Sequence, residues 1–188
     1  MFSQIKSHFI FNSLTAIYDL CSGNTEAQEA IVAFSEYLRV SMGSVNQKKL
    51  ISFDTELKYI KHYLLLEKLR YEEKLQVIYE IKANNFKVPL LSILPLIENA
   101  VSHGLFNKTG AGTIRIRTTE SETEYTVTIV DDGIGFDANT LHDNEYKYSG
   151  IENIRSCIES MCGGTLIISS KPGVGTRVNI NIPKGVEQ

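Results

Sequence analysis

Two short motifs, separated by about one β-hairpin, constrain this 188-residue chain more than any other feature. The first, P-L-I-E-N-A-V-S-H-G, runs from Pro95 to Gly104 and sets Glu98 and Asn99 among apolar residues at helical spacing. The second, D-D-G-I-G, runs from Asp131 to Gly135, follows a predicted strand and turns on its two glycines. A carboxylate and an amide on a core-packed helix need polar partners. Together the motifs predict a ligand site, although D-x-G-x-G alone is equally typical of a plain hairpin.

Two further motifs complete an ordered set of four. Ser149-Gly150 opens a predicted helix, and G-V-G-T, Gly173 to Thr176, precedes the last predicted strand. With these four motifs in order, residues 75 to 183 resemble the GHKL superfamily, the Bergerat-fold ATPases that include DNA gyrase B, MutL and sensor histidine kinases. The resemblance implies an α/β sandwich in which ATP lies between helices and sheet, beside a mobile lid.

The N-terminal segment narrows the resemblance. Q-I-K-S-H-F-I-F-N-S-L, Gln4 to Leu14, is similar to the Q-x-x-P-H-F-x-F-N-x-L signature of the LytS-like sensor histidine kinases, and the similarity continues from Phe53 to Tyr71. His8 and Asn12 lie one helical turn apart on the same face. An imidazole with the ordinary pKa of about 6.5 is largely neutral at cytoplasmic pH, so a ring nitrogen can attack phosphorus. An isolated helix histidine is more often a plain surface or core residue.

The resemblance implies a role for each matching residue of the N-terminal helix and the first motif. It makes His8 the phosphoacceptor, and Asn12 occupies the position that helps place water for dephosphorylation of the partner. Asn99 would bind Mg²⁺, a hard cation otherwise surrounded by phosphate oxygens and water. His103 fits the motif as a nucleotide contact, although a histidine at a helix end can instead cap carbonyl groups.

The remaining motifs are implied to surround the nucleotide. Asp131 would accept a hydrogen bond from the adenine amino group, which selects adenine over guanine. The backbone would approach the nucleotide at Gly133, Gly135 and Gly150, while the pocket would be closed near the adenine by two residues of the last motif, Gly175 and Thr176.

Two positions depart from the family pattern. Many histidine kinases of other subfamilies have an acid directly after the histidine as general base, but this chain has Phe9, which leaves Glu98 as one candidate base. The family often has a lysine in E-N-A-x-K-H-G where this chain has Ser102, so one cationic phosphate contact is expected to be missing.

Hydrophobic periodicity predicts an α+β fold. Helices are expected at residues 2–20, 25–42 and 54–73, the last capped by Asp54, and then at 91–103 and 150–162 on one face of a mixed sheet. Strands are expected at 75–81, 113–119, 124–131, 164–170 and 178–182. We therefore predict a helical dimerisation and phosphoacceptor region at 1–73, followed by a Bergerat-type (GHKL) α/β sandwich that binds ATP at 74–188. The two apolar stripes of the helical hairpin favour a homodimer over packing within one chain.

Composition excludes several classes. With 43% hydrophobic residues and a net charge of −3, the chain has no apolar run near the roughly 20 residues of a membrane span, no signal-peptide pattern and no basic stripe for nucleic acid. Its three cysteines form no C-x-x-C pair, which fits reduced thiols. Neither His62 nor His142 is predicted to bind metal. The polar segment 137–148 is equally compatible with an ATP lid and with a surface loop.

The resemblance implies the core of a two-component sensor histidine kinase that uses ATP and Mg²⁺ and passes phosphate to a response regulator aspartate. We expect a cytoplasmic fragment without membrane contact, cut from a parent protein in the cell membrane. The alternatives are a GHKL ATPase, a nucleotide-binding module without histidine phosphorylation, and a Ser/Thr kinase with the same ATP site.

Overall fold

The computed structural model describes residues 4–43, 49–137 and 145–185. A helical hairpin comes first, and a sheet covered by helices on one face follows it. In chain order the elements are α1 (Gln4–Leu20), α2 (Thr25–Gly43), β1 (Leu50–Ser52), α3 (Phe53–Tyr71), β2 (Leu75–Ile81), β3 (Lys87–Pro89), α4 (Leu94–Asn99), which continues as a π-helical segment (Ala100–Leu105), β4 (Gly112–Glu120), β5 (Glu124–Asp131), α5 (Glu145–Cys162), β6 (Thr165–Lys171) and β7 (Gly175–Pro183).

The main sheet has five strands in the order β2-β4-β5-β7-β6. The β2–β4 pair is parallel, and the other pairs are antiparallel. Alternate residues on β4, β5 and β7 are buried because they face α3, α4 and α5, and together they form one core. The predicted α+β sandwich is therefore confirmed. Its buried strand residues include Ile114, Ile116, Val127, Ile129, Val178, Ile180 and Ile182.

A second, two-stranded sheet was not expected from the sequence. β1 and β3 pair antiparallel, with Ile51 opposite Val88. Each strand has only three residues, too few for a visible alternation of apolar and polar side chains. This small sheet brings the start of α3 close to the segment that leads into α4.

Helix α3 packs into the core of the sandwich. Its first residue, Phe53, is fully buried and stacks on Phe86, which in turn stacks on Tyr125 of β5; both pairs of ring centroids are 4.8 Å apart. The helix begins one residue earlier than expected, because the hydroxyl of Ser52 accepts the N–H of Thr55 and caps it. The predicted cap, Asp54, instead accepts a hydrogen bond from the side chain of Asn84.

The buried carboxylate of Glu56 connects α3 to the start of α4. This side chain is 0% exposed and accepts the backbone N–H groups of Leu91 at 3.0 Å, Ile93 at 3.0 Å and Leu94 at 3.1 Å. Burial raises the pKa of the carboxyl, and the three N–H groups act in the opposite direction. Because these donors precede the first helical hydrogen bonds, α4 begins at Leu94 and not at the predicted residue 91.

Helices α1 and α2 form the predicted hairpin. The turn between them ends at Asn24, whose side-chain oxygen accepts the N–H of Ala27 at 3.0 Å and caps α2. The hairpin leaves large apolar side chains uncovered within one chain: Leu20 is 85% exposed and Phe9 is 71% exposed. Exposed apolar residues on the hairpin continue with Ile17, Val32, Phe34 and Met42.

One boundary near the predicted lid differs from expectation. Helix α5 begins at Glu145, so Gly150 lies inside the helix and does not open it. Of the predicted loop 137–148, residues 138–144, with His142, lie outside the described residues. Within the described ranges, no helix is both long and apolar enough to cross a membrane.

We predict that Glu56→Gln destabilises the fold by about 2 kcal/mol, because the amide nitrogen that replaces one oxygen cannot accept the backbone N–H groups. Urea denaturation measures this difference. The exposed Glu122→Gln is the matched control and should change the unfolding free energy by less than about 0.5 kcal/mol. Equal midpoints for the two variants would contradict the anchoring role of Glu56.

Candidate nucleotide site

A cavity of about 240 Å³ lies between α4 and the adjoining ends of β5 and β7. Its walls are mainly apolar, with a few polar groups, which is the usual make-up of a small-molecule site. Its polar side chains include Asn99 and His103 from α4 and its π-helical extension, Asn107 just after that extension, Asp131 from β5 and Thr176 from β7. The apolar walls include Leu96, Ile129, Ile134, Ile151, Ile168 and Val178.

Asp131 is a nearly buried carboxylate that faces this cavity. Its side chain is 5% exposed, and one oxygen accepts the N–H of Gly133 at 3.0 Å. Burial raises the pKa of Asp131, while hydrogen bonds from the backbone of Gly133 and Thr176 lower it. A carboxylate has about four acceptor positions, so acceptor capacity remains for a donor on a ligand.

The glycines around Asp131 allow backbone segments to pack against each other. A Cβ at Gly133 would lie 2.3 Å from the backbone of Gly104, and one at Gly175 would lie 2.1 Å from the carbonyl oxygen of Asp131. At Gly135, φ is +59° and a Cβ would lie 2.1 Å from the carbonyl oxygen of Lys171. These three glycines are thus required by close contacts within the protein.

Gly150 has no such requirement. It lies in α5, and a Cβ added there would meet nothing within 4 Å. It is not among the residues that line the cavity. Its implied contact with nucleotide stays a prediction.

Two faces of α4 carry different polar residues. Asn99 and His103, four positions apart, line the cavity, and Asn107 continues the series. Glu98 and Ser102, each one residue earlier, are turned away from the cavity toward α2 and α3, where Glu98 is hydrogen-bonded to Tyr37 and Ser102 is bonded to Tyr63.

The contacts of Glu98 and Ser102 bear on two expectations from the sequence. Burial raises the pKa of Glu98, the hydrogen bond from Tyr37 lowers it, and the nearby Glu67 raises it. Ser102 stands where relatives often have a lysine, and in this structure that position contacts Tyr63 outside the cavity.

His8 and Asn12 are both exposed on α1. The Asn12 amide nitrogen lies 3.3 Å from Nδ1 of His8 and 3.4 Å from Nε2. The two side chains therefore share one helical face, as the spacing of four predicts. Neither is among the residues that line the cavity.

The described residues include no cluster of three or more histidine, cysteine or acidic side chains that would hold a metal ion on its own. Mg²⁺ that is bound together with phosphates needs only one or two protein oxygens, because phosphates and water complete its coordination. The Asn99 amide, which lines the cavity, fits that requirement. His62 is a half-buried residue of α3, and burial lowers its pKa.

Several cavity residues were given no role from the sequence. Gly104 borders Asp131, because a Cβ there would lie 2.9 Å from the Asp131 carboxylate, and its carbonyl accepts the N–H of Ile134. Asn107 could have been found from the spacing of four that it shares with Asn99 and His103. Phe136 and Ile151 meet only in the folded chain, and no spacing signals them.

Comparison with known proteins assigns both parts of the chain. Residues 1–75 match the family model described as Histidine kinase, and residues 91–186 match the one described as Histidine kinase-, DNA gyrase B-, and HSP90-like ATPase. The chain is 37% identical to the putative uncharacterized protein YwpD of Bacillus subtilis (strain 168), over 96% of this chain and 67% of YwpD. It is 30% identical to the sensor histidine kinase YesM of the same organism, over 96% of this chain and 32% of YesM.

Two more similarities agree with these. The sensor protein LytS of Oceanobacillus iheyensis is 26% identical over 86% of this chain and 30% of LytS. The fold is similar to that of histidine kinase ThkA in its complex with response regulator protein TrrA, with a TM-score of 0.56, 14% identity, and coverage of 89% of this chain and 53% of ThkA. The chain spans about a third of YesM and LytS and about two thirds of YwpD.

The sandwich, the polar face of α4 and the buried Asp131 define an ATP-binding domain of the histidine kinase, DNA gyrase B and HSP90-like class. The helical hairpin in front of it lies within residues 1–75, which match the Histidine kinase family model. The chain belongs to the LytS-like sensor histidine kinases.

We predict that Gly104→Ala weakens ATP binding at least about tenfold, because the new methyl group would displace the Asp131 carboxylate, and each lost hydrogen bond to a charged group costs about 1.5–3 kcal/mol. Isothermal titration with ATP measures the affinity. Gly43→Ala, which has open space at the end of α2, is the matched control and should bind as the unchanged chain does. Equal affinity in Gly104→Ala would mean that Asp131 does not contact the nucleotide.

Proposed function

We propose that this chain is the kinase core of a two-component sensor protein, in which ATP phosphorylates His8 and the phosphoryl group then passes to an aspartate of a response regulator. The observation that carries the proposal is the convergence of Asn99, His103, Asp131 and Thr176 on one cavity, beside a hairpin that exposes His8. These residues come from three segments that are far apart in sequence, and their convergence is what an adenine nucleotide site of this class requires.

In the proposed complex, Asp131 accepts a hydrogen bond from the adenine amino group, and the apolar walls cover the ring. Guanine has a carbonyl oxygen at the corresponding position, which would face the carboxylate without a proton between them. Asp131 therefore acts as the selector for adenine. Thr176, whose hydroxyl lies 3.0 Å from that of Ser170, closes the same end of the cavity together with Gly175.

Asn99 would hold Mg²⁺ through its amide oxygen, and the ion would neutralise charge on the phosphates. His103, on the same face of the helix, would contact the phosphates or cap the end of the helix. Phosphoryl transfer depends mainly on alignment and charge neutralisation, so this arrangement requires few additional groups.

In the transfer step, the unprotonated ring nitrogen of His8 attacks the γ-phosphorus. A nitrogen–phosphorus bond forms, the bond between the γ-phosphorus and the bridging oxygen breaks, and ADP leaves. The proton on the other ring nitrogen then passes to a base. Glu98 remains the candidate base, because it lies on the side of α4 that faces the hairpin, and Phe9 next to His8 cannot accept a proton.

The partner would be a response regulator. ThkA, which shares the fold, has been solved in complex with the response regulator protein TrrA. In the second transfer, the nitrogen–phosphorus bond on His8 breaks and an aspartate oxygen of the regulator takes the phosphoryl group. Asn12, 3.3 Å from His8, would position water when the regulator is dephosphorylated.

The active form would be a homodimer held by the hairpin. In a single chain, Leu20, Phe9 and Ile17 of α1 expose large apolar surfaces, and a second hairpin could cover them in a four-helix bundle. The proposal places this core in the cytoplasm; the core spans about a third of YesM and LytS, which are named a sensor histidine kinase and a sensor protein.

We predict that incubation with γ-labelled ATP and Mg²⁺ labels the protein with an acid-labile, base-stable bond. His8→Gln should abolish the label, because it removes the attacking nitrogen. Asn99→Ala should reduce the label while His8 is intact, and extra Mg²⁺ should restore it only in part.

Three results would contradict the proposed activity in different ways. Unchanged label in His8→Gln would exclude His8 as the acceptor. Acid-stable label would indicate a Ser/Thr kinase. ATP binding without any label would favour a nucleotide-binding module without histidine phosphorylation.

For the dimer, we predict a particle of twice the mass of one chain in sedimentation equilibrium. Leu20→Glu should raise the dimer dissociation constant at least about tenfold, because it places a charge in an apolar interface. Leu69→Glu, at an exposed position of α3 outside the hairpin, is the matched control. A wild-type chain that stays monomeric at high concentration would exclude the hairpin dimer.

A further inference from the structure

The two polar faces of α4 serve different neighbours. Asn99 and His103 line the nucleotide cavity, and Glu98 lies one residue earlier, about 100° around the helix. Glu98 therefore points toward α2 of the hairpin. A shift of the hairpin that moves Glu98 also acts on the backbone that carries Asn99.

Tyr37 of α2 is the residue that meets Glu98. Its phenol donates a hydrogen bond to the Glu98 carboxylate and also bonds with Ser41, one turn further along α2. The ring packs against Tyr63 of α3, with centroids 5.9 Å apart and ring planes inclined by 32°. Tyr37 of α2 thus contacts both of the other helices that meet at this point, α3 and α4.

Two other polar side chains near Glu98, Glu67 and Tyr63, have partners of their own. Glu67 of α3 is close enough for its charge to act on Glu98, and its carboxylate lies 3.8 Å from the guanidinium of Arg70. Tyr63 is hydrogen-bonded to Ser102. Among the described residues, Tyr37 is therefore the side chain that donates a hydrogen bond to the half-buried Glu98 carboxylate. A hydrogen bond to a charged group in such a site is stronger than a neutral one.

We propose that Tyr37 is a positioning residue for phosphoryl transfer, which holds Glu98 and thereby fixes the His8-bearing hairpin relative to the nucleotide site. This inference rests on the proposed kinase activity. Tyr37 is not among the residues that line the nucleotide cavity; it acts through Glu98. Because α1 and α2 form one hairpin, a contact that holds α2 through Tyr37 also holds α1, which bears His8.

The test is Tyr37→Phe, which keeps the ring and its contact with Tyr63 and removes only the hydroxyl. The rate of His8 labelling at saturating ATP should fall about tenfold, the effect of one lost charge-assisted hydrogen bond. The ATP concentration for half-maximal rate should change less than about twofold, because the cavity residues are untouched. Tyr59→Phe, on the neighbouring α3, is the matched control and should keep the wild-type rate.

A double-mutant cycle with Glu98→Gln tests whether Tyr37 acts through Glu98. If it does, Tyr37→Phe slows the Glu98→Gln chain much less than it slows the unchanged chain. An equal loss in both backgrounds, a wild-type rate in Tyr37→Phe, or a loss confined to ATP affinity would overturn the proposal. Tyr37→His, which keeps a ring and an N–H donor, should retain more of the rate than Tyr37→Phe. If Tyr37→Phe does not fold, Tyr37→His takes its place in the cycle.

The same double-mutant cycle, measured as the free energy of unfolding in urea, distinguishes failure of the proposed kinase activity from failure of the proposed role of Tyr37. If the unchanged chain is never labelled at His8, the proposed kinase activity fails. A coupling free energy between positions 37 and 98 in unfolding would then show that the two residues link the hairpin to the sandwich, but that this link has no catalytic role. Labelling of the unchanged chain with no coupling in either cycle would overturn the inference about Tyr37 alone.

Discussion

The carboxylate of Glu56 fixes the position of α4, and most of the site depends on that helix. It accepts backbone N–H groups of Leu91, Ile93 and Leu94 inside the core, where unpaired donors would be costly. The loop before α4 and the first turn of the helix are thereby held against α3. Because α4 and its π-helical extension carry Asn99 and His103, a carboxylate that does not line the cavity determines where the nucleotide-facing side chains lie.

Close backbone contacts at the strand ends join the sheet to α4. Gly133 packs against Gly104 at the end of α4, and Gly175 packs against the carbonyl of Asp131. These contacts bring β5 and β7 to the π-helical end of α4 and bury Asp131 at their junction. A second face of α4 meets the hairpin through Glu98 and Tyr37. One helix therefore links the nucleotide cavity to the element that carries His8.

Much of this could be predicted from the sequence. Apolar periodicity predicted the helices of the hairpin, α3 and the five strands of the main sheet, because each buries one face. The boundaries that failed depended on side chains from elsewhere: α4 begins late because of Glu56, and α3 is capped by Ser52 where Asp54 was expected. The three-residue strands β1 and β3 were missed because they are too short to show a period.

The sequence by itself determined the order of motifs, the acceptor candidate His8 and the polar pair Glu98 and Asn99, because these depend on residue type and local spacing. Only the tertiary structure decided that Asn99 faces the cavity while Glu98 faces Tyr37, and that Gly104 borders Asp131. Neighbouring residues on a helix point about 100° apart, and what lies in each direction is set by packing between segments distant in the chain.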